Sequence, residues 1–269
     1  SDADYYEDVL QGTQTVYTKQ QAAKEGRMEE QTRKVSERER EGGISRGWGA
    51  SVFFFKQIKE MRRRNRLLFF DIFTILTLAI CVVLPRLIQF DEGEGSPSLS
   101  LGIAVMTSIY LLFFSNATGG WVKELSKPYI YLVPCSPFRK LLWATSPSLA
   151  KAFFDGGLAI GIGGSMIQAR PTLVIVFILI YFSFALVFTS TNLLGQRALG
   201  QVLNKGIIML LYFLLLLLLL SPGIIGMIVL ALADVPAELS LLPPLVWNLA
   251  VSLGIYGICH NSLHTMEAC

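Results

Sequence analysis

RRRNRLLFFDIFTILTLAICVVLPRLIQF, residues 62–90, sets Arg62, Arg63, Arg64 and Arg66 against an apolar run interrupted by two charges, Asp71 and Arg86. A helix needs roughly 20 apolar residues to cross about 30 Å of hydrocarbon, so residues 67–90 read as a membrane span. Lys and Arg accumulate on the cytoplasmic flanks of spans, which places the arginine cluster inside the cell. Further apolar runs at 99–120, 148–168, 171–194, 206–232 and 241–259 predict an all-α integral membrane fold of six transmembrane helices. Leu214 to Leu220 is followed by Ser221, Pro222 and Gly223, which predicts a broken fifth span with a partial or re-entrant piece towards Asp234 and Pro236.

The composition agrees. Of 269 residues, 52% are hydrophobic and 16% charged, against about 25% charged in an average soluble domain. Nearly all the charge lies before Arg66 or in short breaks between the apolar runs. A net charge of +3 lends no support to nucleic-acid binding, because in membrane proteins the position of Lys and Arg matters more than their sum. Cys81, Cys135, Cys259 and Cys269 are scattered without a CxxC pair and read as plain buried or interfacial thiols. The chain opens on Ser1 with an acidic, aromatic segment unlike a signal peptide, so it is expected to start partway along a longer polypeptide.

The breaks between runs test the orientation. The first, third and fifth carry Asp91, Glu92 and Glu94, then Arg170, then Asp234 and Glu238. The second and fourth carry Lys123, Lys127, Arg139 and Lys140, then Arg197 and Lys205. This alternation predicts a multi-pass plasma-membrane protein with both termini of the segment cytoplasmic.

Residues 1–51 are polar. Glu29 faces Arg33 and Glu30 faces Lys34 at the i,i+4 spacing of a solvated helix, which predicts a cytoplasmic helical spacer. Residues 52–66 place Phe54, Phe55, Ile58 and Met61 on one helical face and Lys56, Lys59, Arg62 and Arg63 on the other. That is the pattern of an amphipathic helix lying in the membrane surface, either a topogenic anchor alone or a mechanical elbow. Residues 67–259 then form the transmembrane domain and 260–269 a cytoplasmic tail.

No HExxH, GxxxxGKS/T or GxSxG pattern occurs, so no catalytic residue, metal or cofactor is assigned to this chain. His260 and His264 are one turn apart near Cys259 and Cys269, but they lack a carboxylate and read as a frayed end. Charges within the spans are few and none is expected at the midplane. Asp71 is within reach of the interfacial arginines, Arg86 of Asp91 or Glu92, and Lys151 and Asp155 are spaced to neutralise each other at the inner end of the third span. Such scarcity argues against an ion relay. In that span Gly157 and Gly161 have small-xxx-small spacing, which favours helix packing over a substrate lining.

The most informative segment is the second break, WVKELSKPYIYLVPCSPFRKLLWAT, residues 121–145. It is too long for a turn, too apolar for a loose linker, and bracketed by Trp121 and Trp143, so an ordered cytoplasmic insert is expected. Ser136 can cap a short helix opened by Pro137 and carrying Phe138, Arg139, Lys140, Leu141 and Leu142. An aromatic residue and two cations below the membrane suit docking in the cleft of a soluble partner.

An elbow helix, two spans, a cytoplasmic insert and four more spans resemble the permease of an ABC exporter built from six-span units. In that class the insert is the coupling helix that contacts the ATPase. DADYYEDVL at residues 2–10 and KELSKPYIYLVPCSPFRKLLWA at residues 123–144 are similar to the bacterial, Firmicutes-type membrane family described as "putative ABC exporter". The resemblance covers most of the chain. It implies that Lys123 and Glu124 lead into the coupling insert and that Pro134, Ser136, Pro137, Phe138, Arg139 and Lys140 form the ATPase-facing helix. It also implies that Phe54, Phe55, Ile58, Arg62, Arg63 and Arg64 form the elbow.

On the same grounds ATP and Mg belong to a separate ATPase subunit. The pore would need a second six-span unit, either a missing amino-terminal half, since family members run longer, or a second copy. Nucleotide-driven closure would rock one unit against the other. Cys135 departs from the polar or acidic residue expected there. Three other readings stay open: a non-transporting scaffold or sensor that binds soluble partners through the insert, an ion-coupled secondary transporter, and, for want of any motif, a membrane enzyme last.

Overall fold

A computed structural model of the chain describes residues 49–64, 69–92, 97–117, 135–199, 205–233 and 235–259. At 63, 64, 89–92, 97, 117, 196–199 and 205–209 it describes the backbone alone. The expected spacer up to residue 48, most of the insert with Lys123, Glu124 and Pro134, the side chains of Arg63 and Arg64, and the tail therefore lie outside the described residues.

Among the described residues every element is helical: α1 (Ser51–Arg64), α2 (Ile72–Glu92), α3 (Pro97–Ala117), α4 (Pro137–Met166), α5 (Pro171–Leu199), α6 (Lys205–Leu232), α7 (Ala237–Ser240) and α8 (Leu242–Cys259). Each expected run falls on one long helix. Four stretches, Ser98–Asn116, Pro171–Gly195, Leu210–Leu232 and Ala237–Cys259, are long and apolar enough to cross a membrane. The apolar stretch of α2 is shorter, Ile72–Ile88, and α4 carries Lys151 and Asp155 in its middle.

Side-chain contacts fix the sense of each helix. Asp155 bonds Thr74 and Gly163 backs onto Cys81, so α4 runs parallel to α2. Gly156 meets Tyr181 and Gly164 meets Val174, so α5 runs against α4. Gly102 meets Phe177 and Asn116 bonds Thr189, which sets α3 parallel to α5. Trp247 bonds Leu219 and Pro243 touches Gly226, so α8 runs against α6. The long helices α2 to α6 and α8 thus alternate in direction, bringing residues 71, 117, 145, 192 and 259 towards one end of the bundle. The apolar stretch of α5 is 56% buried and that of α6 only 11%, so α5 is the core and α6 faces outwards.

Three described helices contain a proline past their first turn: Pro85 in α2, Pro147 in α4 and Pro222 in α6. A proline removes one N–H and orphans the carbonyl four residues back. At Pro222 that carbonyl is Leu218's, and the Ser221 hydroxyl donates to it at 2.9 Å. At Pro147 the Ser146 hydroxyl donates to Trp143 at 3.0 Å in the same way. Trp247 Nε1 donates to the next carbonyl along, Leu219, at 2.8 Å. These substitutes overturn the expected break in the fifth span: α6 is continuous from Lys205 to Leu232. At Pro85 the orphaned carbonyl is Cys81's, and Gly163 lies so close to it that no Cβ would fit.

Because α2 starts only at Ile72, beside Lys151, it does not cover the first half of α4. α1 takes that place and runs alongside α4 in the same sense, with Gly49 against Cys135, Phe54 against Trp143 and Gln57 bonded to Ala144. The residues it seals are Ala50, Phe53 and Gln57. The expected apolar face of Phe54, Phe55, Ile58 and Met61 is half-buried instead.

Candidate docking and coupling site

Ser136 occupies the N-cap of α4 with an extended backbone and Pro137 the first helical position, while the Ser136 side chain makes no capping bond. Its carbonyl instead accepts the Lys140 N–H at 3.1 Å. The expected short helix does not stop near Leu142; it is the first part of a 30-residue helix that continues to Met166. Phe138, Leu142 and Trp143 are about 40% exposed and Arg139 is exposed beside them. Lys140 turns inward and is buried with Leu141. Of the expected set, Ser136, Phe138 and Arg139 are thus exposed, and Leu142 and Trp143 are exposed beside them.

Behind that surface four helices are knotted together. Ala50 just before α1, Phe53 of α1, Leu141 and Ala144 of α4, Leu193 of α5, and Ile255, Tyr256 and Cys259 of α8 form one buried apolar cluster. Two polar bonds cross it: Gln57 Nε2 donates to the Ala144 carbonyl at 2.8 Å, and the Tyr256 hydroxyl to Thr145 Oγ1 at 3.0 Å. Thr145 in turn donates to the Leu141 carbonyl at 3.0 Å. Sequence reading missed Phe53 and Gln57 because a glutamine in the middle of a helix face reads as solvated.

A second polar group lies farther along α4. Asp71 stands at the start of α2, its Oδ1 accepting the adjacent Ile72 N–H at 2.7 Å while its own N–H donates to Thr74 Oγ1 at 3.3 Å, which is one half of a capping box. Its other oxygen, Oδ2, pairs with Lys151 Nζ at 3.4 Å. Thr74 Oγ1 donates to Asp155 Oδ1 at 2.9 Å, and Asp155 is buried. The expected neutralisation of Asp155 by Lys151 is one part of the arrangement: the Lys151 charge acts on Asp155 one turn along, its ion pair reaches across to Asp71, and Asp155 also accepts from a hydroxyl.

Asp155 is placed by its neighbours. Gly156 packs on the ring of Tyr181, which lies about 15 Å from the Pro171 end and about 21 Å from the Gly195 end of the apolar stretch of α5. Its bond partner Thr74 lies within the first turn of α2.

The glycine reading changes as well. Close contacts fall to Gly156, Gly163 and Gly164, whereas a Cβ at Gly157 or Gly161 would meet open space. Other buried polar side chains satisfy each other: Thr189 donates to Asn116 Oδ1 at 3.3 Å and Asn248 to Ser183 Oγ at 3.2 Å. Among the described residues no three His, Cys, Asp or Glu side chains are grouped to hold a metal ion.

A helical bundle with several stretches able to cross a membrane is that of a multi-pass membrane protein. The pattern of the family described as "Putative ABC exporter" matches residues 1–267, and the chain belongs to that family. Membership makes it a transporter component and points in general to an ATPase partner. No curated protein and no solved structure matches the chain.

Proposed function

We propose that this chain is the permease component of an ABC-type exporter and that a separate ATPase subunit, carrying ATP and Mg, docks on the exposed start of α4. The reading is supported by one observation above all: Phe138, Arg139, Leu142 and Trp143 lie exposed together at the head of a helix that runs unbroken into the bundle. Aromatic residues and arginine are the side chains that dominate binding energy at protein interfaces. In this reading α2 and α4 also cross the membrane, giving six spans, and the end of the bundle where α1 packs on α4 is cytoplasmic. α1 then acts as an elbow clamped to α4 rather than lying free on the bilayer. A second six-span unit, from the same longer chain or a second copy, would complete the pathway.

The test is affinity purification of the full-length protein from its native host. An ATPase with phosphate-loop motifs should co-purify, and Phe138→Asp with Arg139→Asp should remove it. If the unmodified full-length protein brings down no ATPase, the reading fails.

A further inference from the structure

The Asp71, Lys151 and Asp155 group belongs neither to the docking surface nor to the knot behind it. Its two carboxylates and one ammonium come from two helices, and the hydroxyl of Thr74 lies between them. Tyr181 of α5 packs against the adjoining Gly156. α2 and α4 pack along each other, with Phe69 and Phe70 on Phe154 beside the polar group, and two of their contacts differ in kind. At Gly163 their backbones touch without an intervening side chain. About 18 Å along α4 the polar group clasps them. Backbone contact at a glycine leaves room for rotation, whereas the clasp holds only while its bonds do.

We infer that Lys151 is a two-position cation, paired with Asp71 in the arrangement seen here and with Asp155 when α2 and α4 part. A buried ion pair usually resists opening because separation strands an uncompensated charge in a medium of low dielectric. Asp155 removes that obstacle. It stands one helical turn beyond Lys151 on the same helix, the spacing at which side chains meet, so the ammonium changes partner without entering the apolar interior alone. Asp71 remains at the N-terminus of α2, where the bond from the Ile72 N–H and the helix dipole compensate it. Thr74 must release Asp155 in the same motion, since its hydroxyl has one proton to donate and the Phe69 carbonyl, 2.9 Å away, is its alternative acceptor. The inference rests on the proposed function only for the source of the motion, a push at the head of α4.

The experiment measures the distance between α2 and α4 by electron spin resonance in lipid nanodiscs. Labels carried on unnatural amino acids replace the exposed Ile75 and Phe153, so the native cysteines stay. Two distances are expected, the longer one minor at rest. Asp71→Asn should raise the long-distance population about fivefold or more without ATPase or nucleotide. Asp155→Asn should lower it and suppress any increase on adding the ATPase with ATP. Lys151→Met, which removes the shared cation, should likewise raise the long-distance population, which keeps the test decisive should Asp71→Asn fold poorly. Unchanged populations in folded Asp71→Asn and Asp155→Asn protein would overturn the inference. Because the Asp71→Asn arm needs no ATPase, failure of docking and failure of the clasp are told apart.

Discussion

The side-chain amide of Gln57 donates a 2.8 Å hydrogen bond to the main-chain oxygen of Ala144, in a position sealed from solvent on both sides. It joins α1 to α4 amid the apolar contacts of Ala50 and Phe53. Replacing Gln57 with Leu should therefore loosen α1 by about 1–3 kcal/mol, the cost of leaving a buried group unpaired. Limited trypsin digestion at Lys59 and Arg62 would become faster. Glu60→Gln, which breaks a partly exposed i,i+4 pair with Lys56 at 3.8 Å, should leave the rate nearly unchanged.

Glycine substitutions along α4 should sort by what each Cβ would meet. Gly163→Ala pushes a methyl group into the Cys81 carbonyl and should destabilise the bundle by about 1–3 kcal/mol. Gly161→Ala meets open space and, in a helix interior, should be neutral or stabilising. Unfolding in mixed micelles, followed by circular dichroism, compares the two; equal midpoints would contradict the assigned contacts.

The serine before each internal proline gives a sharper test in α6. Ser221→Ala should cost about 0.5–1 kcal/mol, because Leu218 loses the hydroxyl standing in for the missing N–H. In a Pro222→Ala background the N–H returns, and the same serine change should cost nothing measurable. A double-mutant cycle reads the difference directly.

Tyr256→Phe removes the 3.0 Å bond to Thr145 and should lower stability by about 1 kcal/mol. Paired with Thr145→Val the losses should be less than additive, since both changes delete the same bond. Additive losses would mean that the two hydroxyls act separately.

The helices were legible from sequence because apolar runs of some 20 residues carry a strong signal, and the family was legible from the residues around Ser136 to Lys140. What escaped has specific causes. The third span seemed to begin at Ser148 because Arg139 and Lys140 make the preceding stretch look aqueous, yet Pro137 nucleates the helix and Ser146 repairs it across Pro147. The break predicted at Pro222 followed the general rule for proline but missed the serine beside it, a signal present in the sequence at both sites. The partner of Lys151 could not be read from spacing at all, since Asp71 lies on another helix and only the parallel packing of α2 on α4 brings it near.

The unbroken length of α4 carries a mechanical consequence. With Gly163 as fulcrum, Lys151 stands about 18 Å out and Phe138 about 37 Å out along one lever. A displacement of the docking face would therefore reach the ion pair at about half its size. A 4 Å stroke would move Lys151 by about 2 Å, enough to carry a 3.4 Å contact beyond bonding range.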